Sequence, residues 1–241
     1  KTCRSMMQIS QSPITDTLDE QTLYERLLPL DGATIVELGC GAGMHTRNIA
    51  LGGNNRQVRA YEVDSTQHEK NLSANKPDNI TFKYGGAEQI DEADGSVDVV
   101  MMFKSLHHVP LDSLPVALAE IHRVLKPGGH VYISEPIFAG EFNEVLRLFH
   151  DEQHVRQCAF DAVKSAVESG LFELQEQVFF TSPVHFDDFA DLDSKIIQAT
   201  HTEHRLDDET YASVKTAFNR HMTKTGADFL APMRVDLLKK V

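Results

Sequence analysis

The stretch Val36-Glu-Leu-Gly-Cys-Gly-Ala-Gly43 constrains the fold of this chain more than any other. The run Thr34-Ile-Val-Glu-Leu38 reads as a buried strand, and Met44–Leu51 reads as a helix stopped by Gly52-Gly53. Glycines at alternate positions 39, 41 and 43 remove Cβ where the backbone turns sharply and where a ligand must approach it closely. The same turn delivers that ligand to a helix N-terminus, whose free N–H groups suit a carboxylate or phosphate. A dinucleotide fingerprint needs G-x-G-x-x-G, and Met44 stands at its third glycine position, which disfavours a nicotinamide oxidoreductase.

Downstream, strands and helices alternate. Gln57–Glu62, Ile80–Tyr84, Val97–Phe103 and His130–Ser134 read as further strands. A helix capped by Asp64 or Ser65 separates the first two. A helix with apolar Leu114, Leu118, Ile121 and Leu125 precedes the last and stops at Lys126-Pro-Gly-Gly129. Such alternation predicts an α/β fold, a doubly wound, seven-stranded, mostly parallel sheet with helices on both faces. Beyond Glu141 the pattern predicts helices over 141–150, 151–169, 189–199 and 208–222, and strands over 176–186 and 233–238. With 241 residues, no repeat and no Pro-, Gly- or Ser-rich linker, one domain is expected: a ligand-binding core over 30–136 and a candidate lid over 140–224.

Charge limits the partners. The formal net charge is −13, with the acid excess present in both halves of the chain, so a phosphate backbone is repelled and nucleic acid is not expected as a partner. Three cysteines without CxxC spacing offer neither a disulfide framework nor a zinc site. The longest uninterrupted apolar run, Val99–Phe103, is far below the roughly 20 residues that cross a bilayer, so a cytoplasmic chain without membrane association is expected.

Four ordered motifs resemble those of the class I S-adenosylmethionine-dependent methyltransferases, in particular the small-molecule group that includes the ubiquinone/menaquinone-biosynthesis enzymes. They are Val36–Gly43; Val58-Arg-Ala-Tyr-Glu62; Gly85-Gly-Ala-Glu88 with Asp94–Val100; and Ser105-Leu-His-His-Val109 with Leu125-Lys-Pro-Gly-Gly129. The resemblance covers about residues 30–136 and implies S-adenosylmethionine as cofactor and a small-molecule acceptor. Carried onto this chain, the implied cofactor residues are Glu37, Gly39, Cys40, Gly41, Gly43, Glu62, Val63, Ala87, Glu88 and Phe103. Glu62, about 20 residues beyond the glycine loop, is placed for a ribose diol. Glu37 is placed for the methionine ammonium or for bracing the loop. Gly86 departs from the pattern, since the family often carries Asp there, and leaves that role to Glu88 or a backbone carbonyl.

On the acceptor side, methyl transfer from a sulfonium asks the protein to align the acceptor and, where needed, to remove a proton. His107 and His108 beyond the fourth strand and Glu135 after the fifth are the candidates. Phe103-Lys-Ser-Leu106 lacks the [D/N/S]-P-P-[Y/F/W] pattern of nucleobase amino-methylation and the carboxylate cluster of magnesium-dependent catechol-type enzymes. No Pro-Cys dipeptide serves cytosine C5-methylation. The pairs His150/His154 and His201/His204 each lack a local third ligand, so no metal is expected. A cofactor-binding regulatory module without transferase activity, and a methyltransferase acting on tRNA or protein, remain the alternatives. The identity of the acceptor and the oligomeric state are not encoded in any motif.

Overall fold

The computed structural model describes residues 7–198 and 206–241. In chain order, helix α1 (Glu20–Leu27) precedes β1 (Thr34–Leu38), α2 (Met44–Leu51), β2 (Gln57–Glu62), α3 (Ser65–Ser73), β3 (Ile80–Tyr84) and β4 (Val97–Phe103). A 3-10 turn at Leu106–His108 leads on to α4 (Leu114–Val124) and β5 (Leu125–Pro136). Then come α5 (Glu141–Leu146), α6 (Gln153–Glu168), β6 (Phe172–Phe186), α7 (Phe189–Leu192), α8 (Asp208–Asn219), β7 (Met222–Thr223) and β8 (Gly226–Lys240). Local chemistry sets several of these starts. Asp19, Asp64 and Asp207 each accept a backbone N–H from the first turn of α1, α3 and α8, satisfying donors that a helix leaves unpaired.

The sheet runs β3-β2-β1-β4-β5-β8-β6, with β7 paired to β8. The pairs β1–β2, β1–β4, β2–β3 and β4–β5 are parallel, and β8 runs antiparallel to both β5 and β6. Side chains of period two bury both faces. Ile35, Val99, Met101 and Tyr132 pack with Tyr24 of α1 and Ile49 of α2, while Val36, Val100, Met102 and Ile133 pack with Leu118 and Ile121 of α4 and Val163 of α6. Because β2 and β4 flank β1 and the chain winds outward in both directions, the switch point lies between β1 and β4. Their carboxyl ends and the loops after them form the crevice where such sheets take ligands.

A third apolar cluster stands apart. Val145 of α5 joins Phe189 and Leu192 of α7, Ile197 of the π-turn Asp193–Ile197 that follows it, Val214 and Phe218 of α8, and Phe186 and Phe229 from the far ends of β6 and β8. Phe186 and Phe229 both meet Phe218, at centroid distances of 6.0 and 6.1 Å.

The doubly wound α/β class stands, while the strand count and several element bounds change. The sheet has eight strands rather than seven, the extra one being the two-residue β7 that turns back on β8. The helix ends at Val124, next to the predicted stop, but Lys126–Gly129 already belongs to β5, which starts at Leu125 rather than at His130. There Leu125 pairs with Val97 and the register shifts before Val99, while Lys126 ion-pairs with Asp98 at 2.7 Å. The helices predicted over 141–150 and 151–169 are shorter, at 141–146 and 153–168. No helix among the described residues is long and apolar enough to cross a membrane.

Leu106 is fully buried between β4 and α4 and anchors the turn that carries the two histidines. Leu106→Ala is expected to lower the unfolding free energy by about 2–5 kcal/mol in urea titrations. An unchanged midpoint would show that this turn is not packed as described.

Candidate functional site

The glycine loop is shaped by sterics on one side and left open on the other. Gly39 has φ +75°, and a Cβ there would lie 2.6 Å from Cβ of Ser105, whose hydroxyl donates to the Leu38 carbonyl at 2.8 Å. Gly41 has φ +52°, and a Cβ there would meet nothing within 4 Å, so its open side faces free space. The backbone N–H groups of Gly39 and Cys40 both donate to the Tyr61 carbonyl, at 3.0 and 2.9 Å. Asn71 of α3 donates to the Gly41 carbonyl at 2.7 Å.

Glu62 completes this frame. One carboxylate oxygen accepts from Gly41 N–H and the other from Asp64 N–H, each at 2.8 Å. Glu62 is 8% exposed, and each oxygen keeps lone-pair capacity beyond the backbone bond it already makes. A carboxylate held in this way presents two fixed acceptors, which is what a vicinal diol requires.

Glu37, at the end of β1, is buried and accepts from the Thr46 hydroxyl at 2.5 Å. Burial pushes its carboxyl up to about 8, the Thr46 bond opposes this, and the charge of Glu62 adds to it. At neutral pH the side chain is therefore neutral until a cation comes near. Cys40 is buried, and desolvation pushes its thiol above the ordinary range, so it fills space in the loop rather than acting as a thiolate. Gly43 starts α2 at φ +72°.

The far side of the crevice is built from the loops after β2 and β3. Val63 is 60% exposed beside Glu62 and offers a small apolar surface. A Cβ on Gly86 would meet the Glu88 carboxylate and would lie 3.2 Å from Cγ1 of Val63. Glu88 thus occupies the space that a side chain at position 86 would need. Ala87 is buried in the core, and Phe103 is buried against Tyr24 and stacked on His45 at 4.0 Å, so both support the crevice from beneath.

Across the switch point, Glu135 of β5 grips the turn after β4. One oxygen accepts from Leu106 N–H at 2.9 Å, and the other bonds Nδ1 of His107. His107 is buried, and its Nε2 lies 3.5 Å from Glu152, which begins α6 and is itself only 8% exposed. Burial pulls the imidazole down, but Glu135 and Glu152 outweigh it and hold His107 up at about 9. Glu152 also meets His150 Nε2 at 2.7 Å and Arg156 at 2.6 Å. His108 is exposed, its ring 4.1 Å from that of His107. Glu135, Arg156 and Arg234 line an adjoining cavity of about 150 Å³, with Arg234 paired to Asp236 at 2.9 Å.

The structure therefore gathers Glu37, Gly39, Cys40, Gly41, Gly43 and Glu62 around one loop, and His107, His108 and Glu135 around another. Sequence reasoning missed Thr46, Asn71, Ser105, Glu152 and Arg156. Of these, only Ser105 lies inside a motif. The weighed histidine pairs fall differently: His150 meets Glu152, His154 lies near Cys158 at 3.7 Å, and His201 and His204 are outside the described residues.

Known proteins resemble this chain in sequence and fold. Residues 35–129 match the family described as "Methyltransferase domain". Among curated proteins, 27-O-demethylrifamycin SV methyltransferase of Amycolatopsis mediterranei is 33% identical over 49% of this chain and 46% of its own length. The uncharacterized methyltransferase YcgJ of Bacillus subtilis is 25% identical over 72% of both. The chain spans about half the length of the first of these relatives. A crystal structure of an S-adenosylmethionine-dependent methyltransferase from Methanosarcina mazei superposes with TM-score 0.57 at 16% identity, covering 94% of this chain and 99% of that one. The fold is the Rossmann-like methyltransferase fold, and the glycine loop, Glu62 and the turn after β4 all lie within the residues similar to the methyltransferase-domain family.

The loop geometry gives a direct test. Gly39→Ala forces a left-handed residue against Ser105 and is expected to destabilise by more than about 1 kcal/mol in thermal or urea melts. A neutral effect would contradict the close approach of the two loops.

Proposed function

We propose that this protein transfers a methyl group from S-adenosylmethionine to a small-molecule acceptor. The observation that carries the reading is the Glu62 clamp beside the open face of Gly41, a pair of fixed acceptors facing space where a Cβ would stand. When bound, S-adenosylmethionine supplies a methyl group activated by its sulfonium. Glu62 would hold the ribose hydroxyls, Val63 and Glu88 the adenine edge, and Glu37 the cationic methionine end. The glycine loop Gly39-Cys-Gly41 and Gly43 would shape the bed, with Ala87 and Phe103 supporting it from the core.

On the acceptor side, His107 and His108 are proposed to orient the acceptor group and handle its proton, with Glu135 positioning the turn that carries them. The helical cluster of α5, α7 and α8 is proposed as the lid, whereas α6 packs on the sheet and contributes Glu152 at its start. Two relatives bear names that point to oxygen methylation, the rifamycin enzyme and the O-methyltransferase rstn1 of Aspergillus nomiae, and the first names a small organic acceptor. With the net charge of −13, they support a small organic acceptor over nucleic acid.

Calorimetric titration with S-adenosylmethionine and S-adenosylhomocysteine is the first test. Glu62→Ala removes two charge-assisted hydrogen bonds of about 1.5 kcal/mol each and is expected to weaken binding by about 100-fold. Unchanged affinity, or tight NAD binding instead, would overturn the reading.

The second test uses Glu37, neutral below about pH 8 in the free protein. A cationic ligand favours its charged form, so binding is expected to release a proton below that pH and to strengthen as pH rises toward 8, then level off. Calorimetry in buffers of different ionisation enthalpy measures the proton. Glu37→Gln should abolish its release, and a wild type that releases none would contradict the role of Glu37.

A further inference from the structure

We propose that His107, His108 and Glu152 form a binding site for a first-row divalent transition-metal ion at the acceptor end of the crevice. One ring nitrogen of each histidine and one Glu152 oxygen lie within 4.8 Å of one another. The spacing between His107 Nε2 and Glu152 is 3.5 Å. That is long for a hydrogen bond between buried charged partners. Two donors that share a tetrahedral ion at 2.0–2.2 Å stand about 3.4 Å apart, so the gap fits an ion better than a direct bond.

The surroundings orient these donors as outer partners orient metal ligands. Glu135 takes Nδ1 of His107, which directs Nε2 toward Glu152, and an ion bound there displaces the Nε2 proton to solvent. Arg156 takes Oε2 of Glu152 and His150 approaches Oε1, fixing the plane of the carboxylate. His108, on the exposed side of the turn, gives an ion a path in from solvent. Two imidazoles and one carboxylate select zinc, manganese, iron or cobalt over magnesium or calcium, which prefer all-oxygen sites. Three protein ligands leave a coordination position open. It would take an oxygen of the acceptor, and this last role rests on the methyl-transfer reading, whereas ion binding itself does not.

Sequence spacing hides the site because its donors come from two segments 44 residues apart, the turn after β4 and the start of α6. A second cluster, His185 of β6 with Asp187 just beyond that strand and Asp228 of β8, is exposed. It serves as the control for adventitious surface binding.

The test titrates the full chain, stripped with chelator, with Zn²⁺ by calorimetry and with Co²⁺ by visible absorption. S-adenosylhomocysteine binding is measured on the same samples. One ion per chain is expected. Glu152→Gln and His108→Ala should each weaken it at least ~10-fold, and Glu135→Gln, which removes no ligand, about 10-fold or more. His185→Ala should leave it unchanged. If Glu152→Gln fails to fold, the exposed His108→Ala decides. The proposal falls if wild type shows no saturable binding, if His185→Ala removes it, or if His108→Ala binds as wild type does. Binding of S-adenosylhomocysteine in a protein that takes no metal would refute the metal site alone, and failure to bind S-adenosylhomocysteine would refute the methyl-transfer reading alone.

Discussion

The Glu62 carboxylate, bonded at once to the Gly41 and Asp64 backbone N–H groups, is the interaction on which the crevice depends. It joins the loop after β1 to the loop after β2, adding to the bonds from Gly39 and Cys40 to the Tyr61 carbonyl and from Asn71 to the Gly41 carbonyl. Bonds from backbone N–H to a carboxylate are shorter and stronger than neutral ones. Made in a largely buried setting, they fix the carboxylate before any ligand arrives. Loss of freedom is then borne by folding rather than by binding, which is how a rigid site reaches useful affinity.

The same device recurs one switch point away. Glu62 near the end of β2 grips the loop after its neighbour β1, and Glu135 near the end of β5 grips the turn after its neighbour β4 through Leu106 N–H. In each case an acid near a strand end accepts a backbone donor with one oxygen and uses the other for a neighbouring group, which is Asp64 N–H at Glu62 and His107 at Glu135. Parallel pairing of β1 with β4 sets the two devices side by side at the carboxyl edge of the sheet. The fold thereby keeps the proposed cofactor grip apart from the proposed acceptor side while holding both to one rigid frame.

Much of residues 30–136 was legible because its signals are local. Strand periods, alternate glycines and the acid ending β2 lie within a few residues of their partners, and the structure keeps β1 to β4 where the pattern predicts them. The rest was hidden for physical reasons. Helix α1 buries Leu23 and Tyr24 amid polar residues, so its apolar stripe is too thin to read. Strands β6 and β8 extend to 15 residues each although Pro183 and Pro232 interrupt them, because a long antiparallel ladder carries both across. Glu152 carries no motif at all. It matters only because α6 docks through Ala159, Phe160 and Val163 and brings its first turn over His107.

The most direct measurement of the central claim is a crystal structure of the protein grown with S-adenosylhomocysteine. The account expects the ribose hydroxyls on the two oxygens of Glu62, with the Gly41 and Asp64 bonds retained and the ligand lying against the open face of Gly41. Density for the ligand elsewhere, or a Glu62 carboxylate turned out to solvent in its presence, would contradict it.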